Sequence, residues 1–402
     1  MSSGNVFLSP GNELRLLEGA VALFPALIAA VDAAQLEVML ETYIFDFTGE
    51  GEEVLAALER AAQRGVDVRV TVDGVGTHAL TPDQLRRIEH AGVAWRVFAP
   101  LGALGLLVPS RWRRLHRKLV VVDGYIAFCG GINILDDFHD PNHGPLDAPR
   151  LDYAVSVLGP VVAQVHEAMD QAWLRMQALQ RLRKRQLTDA LASYRASRRT
   201  SVREAPAPST EKGRAALVLR DNFRNRNRIE KAYLQAIGGS RKEILIANAY
   251  FLPGRKLRKA LTTAARRGVK VQILLQGRYE YFMQFYASRA VYAELLAAGV
   301  QIYEYQASFL HAKVAVIDGH WATVGSSNLD PLSLLLAREA NVVIDDAAFA
   351  DKMHACITHA LAHSSKGVDA EALGTRSLRE RVRERLALGL MRLALLLTRN
   401  RY

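Results

Sequence analysis

The sequence predicts an α/β protein made by duplication: two mixed-sheet halves with flanking helices and one shared active site. Three repeats predict it. His116-Arg-Lys118-Leu-Val-Val-Val-Asp123 returns as His311-Ala-Lys313-Val-Ala-Val-Ile-Asp318, and both copies fit His-x-Lys-x4-Asp-x6-Gly-(Gly/Ser)-x-Asn. The apolar run Glu37-Val-Met-Leu-Glu-Thr-Tyr-Ile-Phe45 is echoed by Glu243-Ile-Leu-Ile-Ala-Asn-Ala-Tyr-Phe251, each of strand character. Arg64-Gly65-Val66-Asp67-Val68 is echoed by Arg267-Gly268-Val269-Lys270-Val271. There the glycine stops a helix and the alternating valines start a strand. Alternating strands and helices in each half imply mixed or parallel sheets covered by helices.

The elements follow in order. Ala20 to Val31 reads as a buried helix under the first strand; Pro25 interrupts it and Asp32 ends it. It falls far short of the ~20 apolar residues that span a bilayer. Helical stretches Glu52 to Arg64 and Arg255 to Arg267 follow the echoed strands. Further helices end at Ala91-Gly92-Val93 and Ala298-Gly299-Val300, and short strands then run to Phe98 and Tyr305. The first half carries the longer connection to its histidine motif, Leu101 to Arg114. The stretch from Trp173 to Arg214 does not repeat. It is rich in arginine and ends in Ala-Pro-Ala-Pro-Ser, which reads as a basic helix and then a flexible linker. The expected division is a first half at 1–172, helix and linker at 173–214, a second half at 215–362 and a basic extension at 363–402.

Composition narrows the partners. The chain has 402 residues, half of them hydrophobic, and a net charge of +11. Its surface suits anionic partners such as nucleic acid, acidic lipid or a phosphorylated ligand. Two cysteines, Cys129 and Cys356, exclude a disulfide framework and fit a reducing compartment. The first residues carry no basic run, so no cleaved signal peptide is expected.

The motif itself carries chemistry. Side chains two apart on a strand share a face, so His116 sits beside Lys118 and His311 beside Lys313. Asp123 and Asp318 each precede glycine, as in a hairpin turn, and support the site rather than attack substrate. Glycines 130, 131 and 325 permit close backbone approach, and Asn133, Asn328, Ser326 and Ser327 offer donors to phosphate oxygens. Helices starting near Ile134 and Asp330 would aim their N-termini at the same anion. Two histidines and two lysines suit attack on a phosphodiester with no metal and no cofactor. One neutral histidine attacks phosphorus, and the other, protonated, serves the leaving alcohol and then activates the incoming one. The lysines offset charge on the equatorial oxygens.

The duplicated His-x-Lys-x4-Asp resembles the signature of the phospholipase D superfamily, over roughly residues 5 to 362. Within it the chain is similar to the B-type bacterial cardiolipin synthases, which lack N-terminal transmembrane helices. The stretches that carry this are Leu115 to Asp123, Ala247-Asn-Ala-Tyr-Phe251 and His320 to Leu334. The resemblance implies phosphatidyl transfer. Phosphatidylglycerol would donate to a histidine, and a second phosphatidylglycerol or another alcohol would accept. It implies His116 as nucleophile and His311 as general acid and base. It also implies a downstream carboxylate orienting each histidine: Asp152 for His116 and Glu339 for His311. The alternatives in the same superfamily are a hydrolase and a phosphodiesterase acting on nucleic acid.

Two segments favour lipid, with anionic phospholipid and a membrane surface as partners and no nucleic acid. Leu101 to Pro109 is apolar and runs into Arg111-Trp-Arg-Arg114, an interfacial pattern beside His116. Ser377 to Arg401 combines many arginines with an apolar core from Leu386 to Leu397, suited to a helix lying in an anionic interface. The aromatic stretches Tyr279 to Tyr292 and Tyr303 to Tyr305 read either as an acyl-chain wall or as core. The expected location is peripheral, on the cytoplasmic face of the inner membrane.

Overall fold

The computed structural model describes residues 6–100, 105, 112–140, 143–183, 189, 192, 213–221, 225–280, 282–330, 337–369 and 377–397. The first half runs β1 (Ser9–Glu18), α1 (Gly19–Asp32), β2 (Glu37–Thr42), α2 (Glu50–Gln63), β3 (Asp67–Asp73), α3 (Pro82–Ala91), β4 (Ala94–Phe98). It continues with β5 (Arg114–Leu115), β6 (Leu119–Val122), β7 (Ile126–Gly130), β8 (His139–Asp140), β9 (Gly144–Pro145), β10 (Tyr153–Leu158) and α4 (Pro160–Arg183). The second half opens with β11 (Gly213–Arg220), α5 (Arg228–Gly239), β12 (Glu243–Asn248), α6 (Arg255–Arg266), β13 (Lys270–Gln276), α7 (Phe282–Arg289) and α8 (Tyr292–Leu296). It closes with β14 (Gln301–Tyr305), β15 (Lys313–Ile317), β16 (Trp321–Gly325), β17 (Ala337–Asp345), α9 (Ala347–Ser364), β18 (Ser365–Gly367) and α10 (Leu378–Leu397).

Local chemistry explains the boundaries. Gly65, Gly92, Gly268 and Gly299 all adopt left-handed φ at helix ends, the conformation that costs glycine least. Thr81 and Gln84 close a capping box at the start of α3, with Pro82 at its first position. Asp123-Gly124 and Asp318-Gly319 take positive φ in the turns that join β6 to β7 and β15 to β16.

Among the described residues all the strands except the pair β8–β9 form one 16-stranded sheet, ordered β18-β14-β13-β12-β15-β16-β17-β11-β1-β10-β7-β6-β2-β3-β4, with β5 attached to β17. The order is nearly palindromic about the β11–β1 pair, as duplication requires. β2–β3–β4 and β12–β13–β14 pair in parallel and the inner strands antiparallel, so the sheet is mixed in each half. Along each strand the residues alternate between two cores. Val38 and Leu40 join α1 and α2 in one outer core, while Met39 faces a central core. That central core joins both halves and includes Val161 and Val165 of α4 with Met353 and Ile357 of α9. A second outer core lies under α5, α6 and α8.

The basic helix expected from Trp173 is the later part of α4, which begins at Pro160. Most of the linker lies outside the described residues. Pro25 sits inside α1 without ending it. Among the described residues no helix is long and apolar enough to cross a membrane.

Candidate active site

Each histidine is placed by the half to which it does not belong. Arg114 and Leu115 add in parallel to Ala337 and Arg338, and the His116 amide donates to the Arg338 carbonyl at 3.0 Å. Leu310 bridges Leu151 in parallel, and the His311 amide donates to the Leu151 carbonyl at 2.9 Å. The residue before each histidine is held again by its own half. Leu115 N donates to Asp73 Oδ2 at 2.7 Å, and Leu310 N donates to Gln276 Oε1 at 3.0 Å.

This exchange crosses the carboxylates. The sequence reading paired Asp152 with His116 and Glu339 with His311. The structure pairs His116 Nδ1 with Glu339 Oε2 at 3.1 Å, and His311 Nδ1 with Asp152 Oδ2 at 2.7 Å. The register explains it. Glu339 follows Arg338 and Asp152 follows Leu151, so each carboxylate lies one residue beyond the carbonyl that anchors the opposite histidine. The two imidazoles meet edge to face, with ring centroids 6.5 Å apart.

Lys118 and Lys313 are buried beside them, and each ammonium donates to the carbonyl of its own histidine. Asp123 and Asp318 are not in the site. Asp123 accepts from the amides of Gln35, Leu36 and Glu37 at 2.8–2.9 Å, and Asp318 from Arg241, Lys242 and Glu243 at 2.8–3.0 Å. They cap the turns before β2 and β12, at the far ends of β6 and β15 from the histidines.

The other predicted donors divide. Asn133 and Asn328 line the chamber; Asn133 Oδ1 also accepts from the Ile44 amide at 3.1 Å. Ser326 and Ser327 are not among the residues that line the chamber. Ser326 Oγ, fully buried, donates to Glu339, and Ser327 Oγ turns to the Asn328 carbonyl. The position matching Ser326 in the first half is Gly131, where a Cβ would collide with the Asp152 carboxylate. Ile134 starts no helix; it bridges Phe45. Residues 331–336, where the second such helix was expected, lie outside the described residues.

The histidines open into a chamber of about 890 Å³, bordered by Tyr43, Trp112, Arg114, Arg150, Tyr250 and Glu280. Its size suits a lipid headgroup better than a single ion. Sequence reasoning missed these side chains, and it missed Asp73 and Gln276. Position was the available signal: Tyr250 follows β12 and Glu280 follows β13 at the carboxyl ends of parallel strands, where α/β sheets bind ligands. The Tyr43 ring packs at a tilt against His116 with centroids 5.0 Å apart and lies 5.5 Å from the Lys118 ammonium. Of the apolar connection, residues 101–104 and 106–111 lie outside the described residues. The aromatic stretch is split: Tyr279 is exposed, while Tyr292 is core.

Burial sets the electrostatics. It holds His116 below the usual imidazole range, with Glu339 opposing and Lys118 reinforcing the shift. It holds His311 well below that range, reinforced by Lys313, Lys118 and Arg150. It lowers Lys118 to about 7, helped by Lys313, and lowers Lys313 to about 8 against Asp152 and Glu339. It raises Asp152 to about 7 against Lys313. Burial thus disfavours a separated ion pair here and favours one proton shared between Asp152 and His311. An anionic phosphodiester between the rings favours the charged forms of the lysines and histidines alike.

The family model for the cardiolipin synthase, PLD-like domain matches residues 27–143 and 233–360. The chain is 38% identical over 370 residues to cardiolipin synthase B of Salmonella typhi, across 91% of this chain and 84% of that one. It is 37% identical over 370 residues to cardiolipin synthase B of Escherichia coli strain K12, with the same coverage of 91% and 84%. The phosphatidylserine synthase of Haemophilus influenzae Rd KW20 matches with a TM-score of 0.69 over 97% of this chain and 95% of that chain. Its identity of 12% makes this a likeness of fold alone.

Proposed function

The chain belongs to the cardiolipin synthase family of phospholipase D-like proteins, and we propose that it transfers a phosphatidyl group from one phosphatidylglycerol to another. One observation carries the mechanism: two imidazoles face each other, each backed by a carboxylate from the opposite half. His116 Nε2 attacks phosphorus, and the bond from phosphorus to the glycerol oxygen breaks. The proton held by the Asp152–His311 pair goes to that oxygen, and glycerol leaves. A hydroxyl of the second phosphatidylglycerol then enters. His311 takes its proton, the oxygen attacks phosphorus, and the bond to His116 breaks, giving cardiolipin. Glu339 fixes the His116 tautomer so that Nε2 is free to attack, and Ser326 fixes Glu339. Lys118 and Lys313 neutralise the equatorial oxygens, and Asn133 and Asn328 donate to them. No step calls on a metal or cofactor.

The enzyme reaches its substrate as a peripheral protein, on the cytoplasmic face of the membrane. α10 supports this. Ala387 and Met391 are buried, while Val382, Leu386, Leu390 and Leu393 form an exposed stripe at helical spacing, 42–55% exposed. Arg379 and Arg385 are exposed on the same helix, and Arg383 lies on Tyr286 of α7. An apolar stripe with arginines suits an anionic interface. α10 packs against α7, the helix that follows Glu280 in the chain.

Purified protein with labelled phosphatidylglycerol vesicles tests the reading. Cardiolipin with released glycerol is the expected result. Phosphatidic acid alone identifies a hydrolase, and DNA cleavage without lipid turnover a nuclease; either overturns it.

A further inference from the structure

One wall of the chamber carries chemistry that the duplication does not explain. Tyr250 OH donates to Glu280 Oε2 at 2.7 Å, and both side chains line the chamber with His311. The aligned strands place Ile44 where the second half has Tyr250. The loop after β3 has Thr77 where the loop after β13 has Glu280, and Thr77 is spent on the backbone of Tyr43 and Phe45. The carboxylate–phenol pair is thus confined to the His311 side.

Its neighbours are fixed. Arg150 borders the same wall, and its guanidinium is committed to Asp140 Oδ2 at 3.0 Å and to the His139 carbonyl at 3.2 Å. Tyr250 and Glu280 share the chamber lining with both histidines, which places the pair on the same cavity as the reacting phosphate. Burial raises the Glu280 acid, and Lys313 and Arg150 oppose the rise.

A carboxylate accepts and never donates when ionised, and a phenol does both. Together they match a neutral group with several hydroxyls. Beside the histidine that serves the leaving and entering alcohols, that group is a polyol. We infer that Glu280 and Tyr250 form the subsite for the free hydroxyls of the alcohol that leaves or enters, and so select a glycerol-type alcohol over a simple primary alcohol. This deepens the transfer reading and rests on it. A site built to accept from substrate hydroxyls rejects alcohols that lack them, because its own polar groups then stay unpaired.

The test is acceptor competition with the full-length protein and phosphatidylglycerol vesicles. Glycerol, 1-propanol and ethanolamine are supplied separately, and the phosphatidyl alcohols are quantified. The wild type is expected to favour glycerol over 1-propanol. In Glu280→Gln that ratio falls about tenfold, the effect of one hydrogen bond to a charged group. In Tyr250→Phe it falls less. A ratio unchanged in both variants overturns the subsite. A preference for ethanolamine that exceeds the one for glycerol and disappears in Glu280→Gln also overturns it, since it identifies a cation site. A wild type that forms no phosphatidyl alcohol or cardiolipin defeats the transfer reading itself, which separates the two failures.

Discussion

The two halves share a frame and differ in what they hang on it. In both, the segment before the histidine pairs with the other half, a side-chain oxygen fixes the residue before the histidine, and an aspartate caps the turn before the parallel strand. The fillings diverge. The first half holds Leu115 with the carboxyl of Asp73, itself paired to Arg114 at 3.0 Å; the second uses the amide of Gln276. Behind His116 lies a buried pair, Arg117 with Glu41 at 2.9 Å, where the second half has Ala312 and Ala247. Glu339 has Ser326 as a donor, and Asp152 has Gly131. Position is thus inherited by repeat, while charge and proton affinity are set locally. That is how two copies of one motif take unequal roles.

The comparison breaks most easily at the shared features. His116→Ala and His311→Ala are each expected to lower cardiolipin formation by about 10⁴-fold or more, because neither half completes the reaction alone. Substantial residual turnover in either variant contradicts a single composite site.

Next come the features that separate the halves. Removing Glu41 strands the buried Arg117 charge, and Glu41→Ala is expected to cost about 3–5 kcal/mol in urea unfolding. Glu41→Ala with Arg117→Ala reproduces the alanines of the second half and is expected to cost less than the single change. A double variant less stable than Glu41→Ala would show that the pair is not a local solution to a buried charge.

A pH series sharpens the electrostatic contrast. The imidazoles are lowered by burial, so kcat/KM is expected to fall on the acid side only below about pH 6.5. Lys118 and Lys313, lowered to about 7 and about 8, lose charge as pH rises through those values, so activity declines there. Lys118→Arg keeps its charge and is expected to move the alkaline limb upward. A limb that stays put excludes Lys118 as its source. The smallest effect on turnover is expected from deleting residues 376–402. That change weakens binding to anionic vesicles more than it slows turnover of detergent-dispersed lipid. Equal vesicle binding by the truncated chain would contradict the interfacial role of α10.

Much of this was legible in the chain. Glycines 65, 92, 268 and 299 end helices where their spacing said they would, because a left-handed helix end leaves few other choices. The Asp-Gly turns, and the placing of both histidines and both lysines in one site, were likewise readable from local pattern. The crossing of Asp152 and Glu339 was not. Each carboxylate follows the motif of its own half in sequence, and only the pairing of Leu115 beside Arg338 and Leu310 beside Leu151 assigns it to the other. Such long-range register has no local signature. Ser326 misled for a related reason: a serine beside a phosphate motif reads as a donor to phosphate, while its burial against Glu339 depends on how β16 and β17 pair.

The crossed site is tested most directly by burst kinetics on a p-nitrophenyl phosphatidyl diester. Its leaving group needs no proton, so the first step reports the nucleophile alone. Asp152→Asn is expected to keep a burst of nitrophenolate equal to the enzyme present and then stall. Glu339→Gln is expected to lose the burst. A burst lost in Asp152→Asn and kept in Glu339→Gln would contradict the account.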